Sequence, residues 1–291
     1  MSDYVIITDS SADLPDSIVK ELKIEVLPLA FTIDGKTYLN YPDNREMTPE
    51  ELTRRQKAGS MATTNAVNVG QATEAFEPYL KAGKDLLVLG FSSGLSTTCN
   101  SYLIAAEALR EQYPERKLYV VDTLCASLGQ GLLVYLAAKQ KAAGKSIEEV
   151  RDWTEQNKLH MCHWFTVNDL FFLKKGGRVS AATAVVGTML QIKPILHVDD
   201  EGHLIKVSTA RGRKASLTGL VDKMAELADP DPASQVVFVS HTDSYAEADQ
   251  VAADIKARFG VKEVIINHIG PVIAAHTGPG CMAVFFLGKH R

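Results

Sequence analysis

The chain has 291 residues, of which 46% are apolar, so it can bury one large core or two of medium size. Its formal net charge is −4 and acidic and basic residues are interspersed, which excludes a long-range positive field for gathering nucleic acid. No apolar run approaches the roughly 20 residues needed to span a bilayer. The N-terminal segment lacks the basic and apolar regions of a secretion signal, which predicts a cytoplasmic protein.

The first half of the chain alternates short apolar strands with helices. The predicted strands are Tyr4–Thr8, a hairpin of Ile24–Ile33 with Lys36–Leu39, Asp85–Phe91 and Leu118–Asp122. The predicted helices are Asp16–Leu22, one from Thr48 to Gly59, Val69–Ala82, a long helix after Ser96, Leu128–Ala143, and one from Ser146 to about Lys158. Buried strands separated by helices predict a largely parallel sheet with helices on both faces.

From His160 onward the pattern changes toward antiparallel pairing. His160–Val167 is a predicted strand, while Lys193–Val198 and His203–Thr209 flank an Asp-Asp-Glu-Gly hairpin turn. The rest alternates predicted helices and strands, namely Ala215–Leu227, Val236–His241, Ala246–Phe259, Val264–His268 and Met282–Leu287. We therefore predict an α/β fold of two domains, with a mostly parallel sheet in residues 1–158 and a mixed or antiparallel sheet in residues 159–291.

The four cysteines are far apart in sequence and form no Cys-x-x-Cys pair; they are Cys99, Cys125, Cys162 and Cys281. This spacing predicts reduced and mostly buried thiols.

The turn Ser92–Thr98 lies between a predicted strand and a predicted helix. Its backbone N–H groups and hydroxyls can converge on an anion, because ligands of α/β sheets bind at the carboxyl ends of the strands. The alternative is an ordinary polar helix cap with spare serines.

The same region also fits the Gly-x-Ser-x-Gly pattern of a serine hydrolase, with Ser92 as the nucleophile. Asp243 and His276 follow in the order that such hydrolases use. However, no upstream HGGG-type oxyanion motif is present, and so short a pattern arises often by chance. A hydrolase therefore remains an alternative rather than the main prediction.

Three further segments carry candidate donors. Residues 61–66 are small and hydroxylated, residues 276–280 place a histidine beside glycines, and residues 174–180 combine a glycine turn with Arg178. Each has a plainer interpretation, respectively a Ser/Thr turn, a structural histidine and a solvated basic loop.

Three other motifs are incomplete. Ala143–Ser146 ends like a phosphate loop but has Lys139 in place of the required glycine, and Gly129–Gly131 lacks the third glycine of a dinucleotide fingerprint. His160 and His163 have no second ligand pair that would complete a zinc site. The sequence thus predicts no metal site and no cofactor.

Five segments taken together resemble the DegV family in order and spacing, over nearly the whole chain. They are Thr8–Pro15, Ser92–Ser96, Gly177–Ser180, Lys193–Leu196 and His276–Gly280. The resemblance implies two α/β domains with a lipid lying between them. It also implies a fatty-acid-binding subunit of the bacterial fatty acid kinase, which carries the lipid and is not itself an enzyme.

The resemblance further implies which residues hold the ligand. The carboxylate would be bound by residues similar to Thr63, Ser96 and His276, with Arg178 near the head group. The neighbouring site residues in the same segments are Ser93, Gly94, Thr64 and Thr277. The chain departs from the family pattern at residues 64–66, where Thr-Asn-Ala replaces Ser-Gln-Pro, and at Thr97, which replaces a glycine. No catalytic residue is implied.

The chemistry of these residues agrees with a carrier of a long-chain fatty acid. Hydroxyls and an imidazole can satisfy a carboxyl group in either protonation state, and each methylene buried in an apolar tunnel contributes about 0.8 kcal/mol. By the same resemblance, a separate ATP-dependent kinase would phosphorylate the carboxylate. We expect no nucleic-acid partner and at most transient contact with a membrane surface. The alternatives are the serine hydrolase and a regulatory binder of another small acid.

Overall fold

The computed structural model describes residues 4–180, 191–229 and 231–291. The described strands are β1 (Tyr4–Asp9), β2 (Glu25–Leu27), β3 (Ala30–Ile33), β4 (Lys36–Leu39), β5 (Thr63–Asn65), β6 (Asp85–Gly90), β7 (Leu118–Asp122), β8 (Met161–Thr166), β9 (Ile192–Val198), β10 (Leu204–Arg211), β11 (Val236–His241), β12 (Glu263–His268) and β13 (Met282–Leu287).

Helices occur throughout the described parts of the chain. They are α1 (Asp16–Glu21), α2 (Pro49–Lys57), α3 (Val69–Lys81), α4 (Thr98–Gln112), α5 (Leu128–Ala142), α6 (Ile147–Asn157), α7 (Phe171–Lys175), α8 (Arg213–Leu227), α9 (Tyr245–Phe259) and α10 (Pro271–Thr277). Within these described ranges, no helix combines the length and apolarity needed to cross a membrane.

The first sheet is parallel and has the strand order β2-β1-β6-β7. Its β1 and β6 are buried along their whole length, which explains their continuous apolar runs. Because the strands are parallel, their carboxyl ends meet at one edge, where Asp9, Gly90 and Asp122 end β1, β6 and β7. The turn Ser92–Thr98 leaves the sheet at this edge.

The second sheet is mixed and has the order β10-β9-β8-β13-β11-β12. Only β11 and β12 pair in parallel, and the predicted hairpin is formed by β9 and β10 with a bulge between Lys206 and Ser208. The α/β class with one parallel and one mixed sheet is thus confirmed. The domain boundary after residue 158 stays a prediction.

A small third sheet has the order β4-β3-β5 and differs in part from the prediction. The predicted strand Ile24–Ile33 is split at Pro28, which has no N–H to donate to a ladder, so β2 joins the first sheet and β3 joins the third. The β3–β4 turn has positive φ at both Asp34 and Gly35, as a tight hairpin requires. Strand β5 lies in a segment predicted to be a loop, and it pairs antiparallel with β3.

Helix α5 packs between the two larger sheets and is buried on most of its surface. Its Tyr135 meets Phe238 of β11 with ring centroids 5.5 Å apart. A single apolar cluster therefore continues from the first sheet to the second. The four cysteines are free and buried, as predicted.

Candidate functional site

A cavity of about 450 Å³ lies among elements of all three sheets. Most of its wall is apolar, with contributions from both halves of the chain, including Leu29, Phe91, Phe165, Leu173, Ile269 and Phe285. A mostly apolar pocket of this size with a few polar groups is typical of small-molecule sites.

Two walls of the cavity run along secondary structure. Ile269, just before α10, and His276, near its end, both line the cavity, and a helix of this length spans about 10 Å. Cys281, just before β13, and Ala283 and Phe285 on β13 also line the cavity, which corresponds to about 13 Å of extended chain. The cavity thus has a His276 end and a Phe285 end.

At the His276 end, an imidazole and a guanidinium lie close to each other. The Nε2 atom of His276 is 2.8 Å from Oγ1 of Thr64. Arg178 donates from Nη1 to the backbone oxygen of Gly176 at 2.5 Å and from Nη2 to that of Leu95 at 3.0 Å. Among the described residues no acidic side chain forms an ion pair with Arg178, although the guanidinium is half-buried.

The two basic side chains at this end, His276 and Arg178, differ in charge at neutral pH. Burial lowers the pKa of His276 to about 4, and the nearby charge of Arg178 acts in the same direction. Burial also lowers the pKa of Arg178, but a guanidinium stays protonated in proteins. At neutral pH the site therefore contains a neutral imidazole and a positive charge that no acidic side chain of the described residues pairs with, which favours an anion.

The serine turn supplies further polar groups, and its members have different roles. Ser93, Ser96 and Thr97 line the cavity, and Oγ of Ser96 lies 3.0 Å from Oγ1 of Thr98. Gly94 packs instead against the β9–β10 turn, since a Cβ atom there would lie 2.7 Å from the backbone oxygen of Glu201. Gly94 is therefore a position of close backbone contact rather than part of the cavity wall.

The structure does not bring Thr63 to the cavity. Thr63 and Thr64 are successive residues of β5, paired with Thr32 and Phe31 of β3, so their side chains point to opposite faces. Thr63 is exposed, whereas Thr64 lines the cavity and contacts His276. The other predicted residues Ser93, Ser96, Arg178, His276 and Thr277 do line it.

The proposed hydrolase residues are not assembled into a triad. Ser92 is buried, and its hydroxyl donates to the backbone oxygen of Gly202 at 2.9 Å. Asp243 forms an ion pair with Lys57, and the Nε2 atom of His276 lies against Thr64. Within the described residues Ser92 makes no hydrogen bond to a histidine.

Neither histidine of the rejected zinc motif gains a metal partner among the described residues. His163 is buried, with Nδ1 2.8 Å from the backbone oxygen of Met161 and Nε2 accepting from the Ala126 N–H at 3.3 Å. The side chains of Asp199, Glu201 and His203 lie close enough to share a cation, but they sit on a largely exposed turn, and acidic groups alone do not indicate a metal site.

Sequence reasoning gave no role to Asp13, although it lies in one of the segments that resemble the DegV family. Its two carboxyl oxygens accept from the Ser127 hydroxyl at 2.6 Å and from the Gly270 N–H at 3.0 Å, and Asn267 donates to its backbone oxygen at 2.7 Å. Ser127 lines the cavity with φ 52° and ψ −146°, a conformation that costs about 1–3 kcal/mol in a non-glycine residue. Asp13 therefore connects the loop after β1 to the residues that precede α5 and α10.

The buried Asp13 makes stability depend on pH in a defined direction. Burial raises the pKa of Asp13 from 3.8 to about 8, so the folded state holds this proton more tightly than the unfolded state. The resulting stabilisation is complete below pH 3.8 and is lost as pH rises to about 8. His241 and His276, whose pKa values are lowered to about 4, have the opposite effect only below about pH 6.5.

We therefore expect Asp13 to lower the free energy of unfolding, measured with urea, by up to about 1.4 kcal/mol per pH unit between pH 6.5 and 8. Asp13→Asn keeps an acceptor for the Gly270 N–H but cannot titrate. The free energy of unfolding of this variant should therefore change less with pH in this range. Exposed Asp249→Asn is the control and should keep the slope. Equal slopes in all three proteins would contradict a protonated Asp13.

Comparison with known proteins gives a consistent result over the whole chain. Residues 3–289 match the profile of the DegV family, a family of uncharacterised proteins. A DegV domain-containing protein of Clostridium perfringens is 46% identical over 291 residues, with 100% of this chain and 99% of the relative covered.

Several solved structures are similar in both sequence and fold. A DegV lipid binding protein from Thermotoga maritima is 30% identical with a TM-score of 0.85, and 99% of each chain is covered. A fatty-acid-binding DegV family protein from Thermus thermophilus is 30% identical with a TM-score of 0.86, covering 99% of this chain and 100% of that one. DegV of Bacillus subtilis, a fatty acid binding protein, is 26% identical with a TM-score of 0.83, covering 99% and 100%.

Proposed function

Because the chain belongs to the DegV family, we propose that its cavity binds a long-chain fatty acid, with the carboxylate at the His276 end. The observation that carries the proposal is the half-buried Arg178 without an acidic partner among the described residues, at the His276 end of a mostly apolar cavity. A buried charge is costly unless it is paired, so this guanidinium is suited to an anionic ligand. The solved relatives that bind fatty acids support the same assignment.

In this proposal Arg178 provides the positive charge that attracts the carboxylate, and neutral hydrogen-bonding groups orient it. Thr64, Ser96 and the imidazole of His276 can complete the hydrogen bonds of a carboxylate. The apolar wall receives the acyl chain, and burying sixteen carbons contributes on the order of 10 kcal/mol before the costs of ordering are subtracted. The head group is the specific part of the ligand and the chain supplies most of the affinity.

We further propose that the chain is a binding protein that offers the carboxylate to a separate ATP-dependent kinase. The His276 end lies near the surface, since Asn65 and Ala66 line the cavity and are also exposed. A carboxylate held there is accessible to a second protein while its chain stays buried. The hydrogen bonding of Ser92 to Gly202 disfavours the hydrolase alternative.

One experiment in two stages tests these proposals. Protein purified from a bacterial host is extracted and the released ligand is weighed by mass spectrometry, where we expect a long-chain fatty acid near one equivalent. The loaded protein is then incubated with ATP and a fatty acid kinase subunit, and acyl phosphate is trapped with hydroxylamine. A different acid in the first stage would contradict fatty acid binding, and a lack of acyl phosphate in the second would contradict the kinase proposal. Covalent labelling of Ser92 by a fluorophosphonate probe would favour the hydrolase.

A further inference from the structure

Gly176 lies between the two groups assigned to the carboxylate. It follows α7 directly, and its N–H donates to the backbone oxygen of Phe172 at 2.8 Å. Its own backbone oxygen accepts from Nη1 of Arg178 at 2.5 Å. On its other side, the imidazole of His276 packs against its Cα. One residue thus contacts both the guanidinium and the imidazole.

The space at Gly176 is filled by His276. A Cβ atom at Gly176 would lie 2.2 Å from Nδ1 of His276, a separation that real Cβ contacts essentially never show. The backbone of Gly176, with φ −77° and ψ −5°, is one that any residue adopts. The neighbouring Gly177 is the reverse case, with φ +72° and open space around it. The positive φ therefore explains why position 177 is glycine. Position 176 is glycine because a side chain there would occupy the space of the His276 imidazole.

The imidazole of His276 is held from two sides. Gly176 lies against its Nδ1 atom and Thr64 lies 2.8 Å from its Nε2 atom. A methyl group at position 176 must either push the ring toward Thr64 or move the 176 backbone, and with it the oxygen that binds Arg178. Either shift changes the separation of the two groups that would share a carboxylate.

We propose that Gly176 is a positioning residue that fixes the imidazole of His276 and the guanidinium of Arg178 at the spacing a carboxylate requires. The inference rests on the proposed function for its ligand. The contact itself involves only Gly176 and His276, so it can be measured separately from fatty acid binding. It assigns a role in head-group recognition to a residue that need not touch the fatty acid.

The test is Gly176→Ala, with binding of palmitate and of its uncharged methyl ester measured by titration calorimetry. We expect the dissociation constant for palmitate to rise at least tenfold, while that for the ester changes less than threefold. Gly70→Ala at the start of α3 adds the same methyl group elsewhere, and both ligands should bind it as they bind the unmodified protein.

A double variant separates positioning from general damage. In a His276→Ala background the added methyl group has room, so Gly176→Ala should weaken palmitate binding less than twofold further. If Gly176→Ala alone fails to fold, the double variant should fold and bind the ester, which would still locate the clash at His276. Unchanged palmitate affinity in Gly176→Ala, or equal losses in both backgrounds, would overturn the proposal.

A measurement on the ligand-free protein distinguishes this inference from the proposed function. The NMR signals of the His276 ring should shift in Gly176→Ala and not in Gly70→Ala. If no variant binds palmitate but the ring signals shift as expected, the contact stands and fatty acid binding fails. If palmitate binds normally and the ring signals do not move, the positioning role fails alone.

Discussion

Replacing Arg178 with methionine is expected to weaken binding of a long-chain fatty acid about thirtyfold, with little change in the fold. Methionine keeps much of the apolar stem but removes the only charge we assign to the carboxylate. Truncating one member of a buried charge pair costs roughly 2–5 kcal/mol, and the lower end applies because Arg178 is only half-buried. A loss of about 2 kcal/mol corresponds to a thirtyfold rise in the dissociation constant.

The uncharged methyl ester of the same acid tests whether the loss is electrostatic. The ester places no anion beside residue 178, so its affinity should differ by less than threefold between Arg178→Met and the unmodified protein. Arg110→Met is a matched control, because Arg110 also donates to a backbone oxygen, that of Leu118, but belongs to α4 and does not line the cavity. Equal losses for acid and ester would show that Arg178 only supports the cavity wall.

Position 63–64 shows where sequence reasoning reached its limit. The hydroxylated segment could be recognised as a donor, but its three-residue strand exists only because β3 offers an edge to pair with. Such short pairing depends on tertiary contact, which no local pattern encodes. Since strand residues alternate between faces, an uncertainty of one residue exchanges an exposed threonine for one that contacts His276.

The longer elements were predictable for the opposite reason. Helices α2 and α6 follow the N-cap residues Thr48 and Ser146, whose side chains accept from the backbone N–H groups of Glu51 and Glu149. The five-residue α7 was not predicted, because a helix of little more than one turn has almost no periodicity and is stabilised by its neighbours. The contact between Gly176 and His276 was equally invisible, since 100 residues separate them in sequence.

The far end of the cavity decides how long an acyl chain fits. Ala126 lines the cavity, and its N–H donates to Nε2 of His163, whose ring meets Phe285 edge-on at 5.5 Å between centroids. Phe285 lies about 13 Å of extended chain from Cys281, which lines the same wall and contacts Thr277, the neighbour of His276. Ala126 therefore marks the end where the last methylenes of a long chain would pack.

Ala126→Leu is expected to shorten the chain that the protein accepts. The larger side chain would displace about three to four methylenes, and at about 0.8 kcal/mol each this removes roughly 2–3 kcal/mol from the binding of a sixteen-carbon acid, or about 30- to 200-fold in affinity. A ten-carbon acid, whose chain is six carbons shorter, should lose less than threefold. Titration of both acids measures the difference, and Ala108→Leu on the exposed face of α4 should leave both affinities unchanged. Equal losses for the two acids would mean that the chain does not run from His276 toward Phe285, because a reversed or folded-back chain would contact residue 126 at either length.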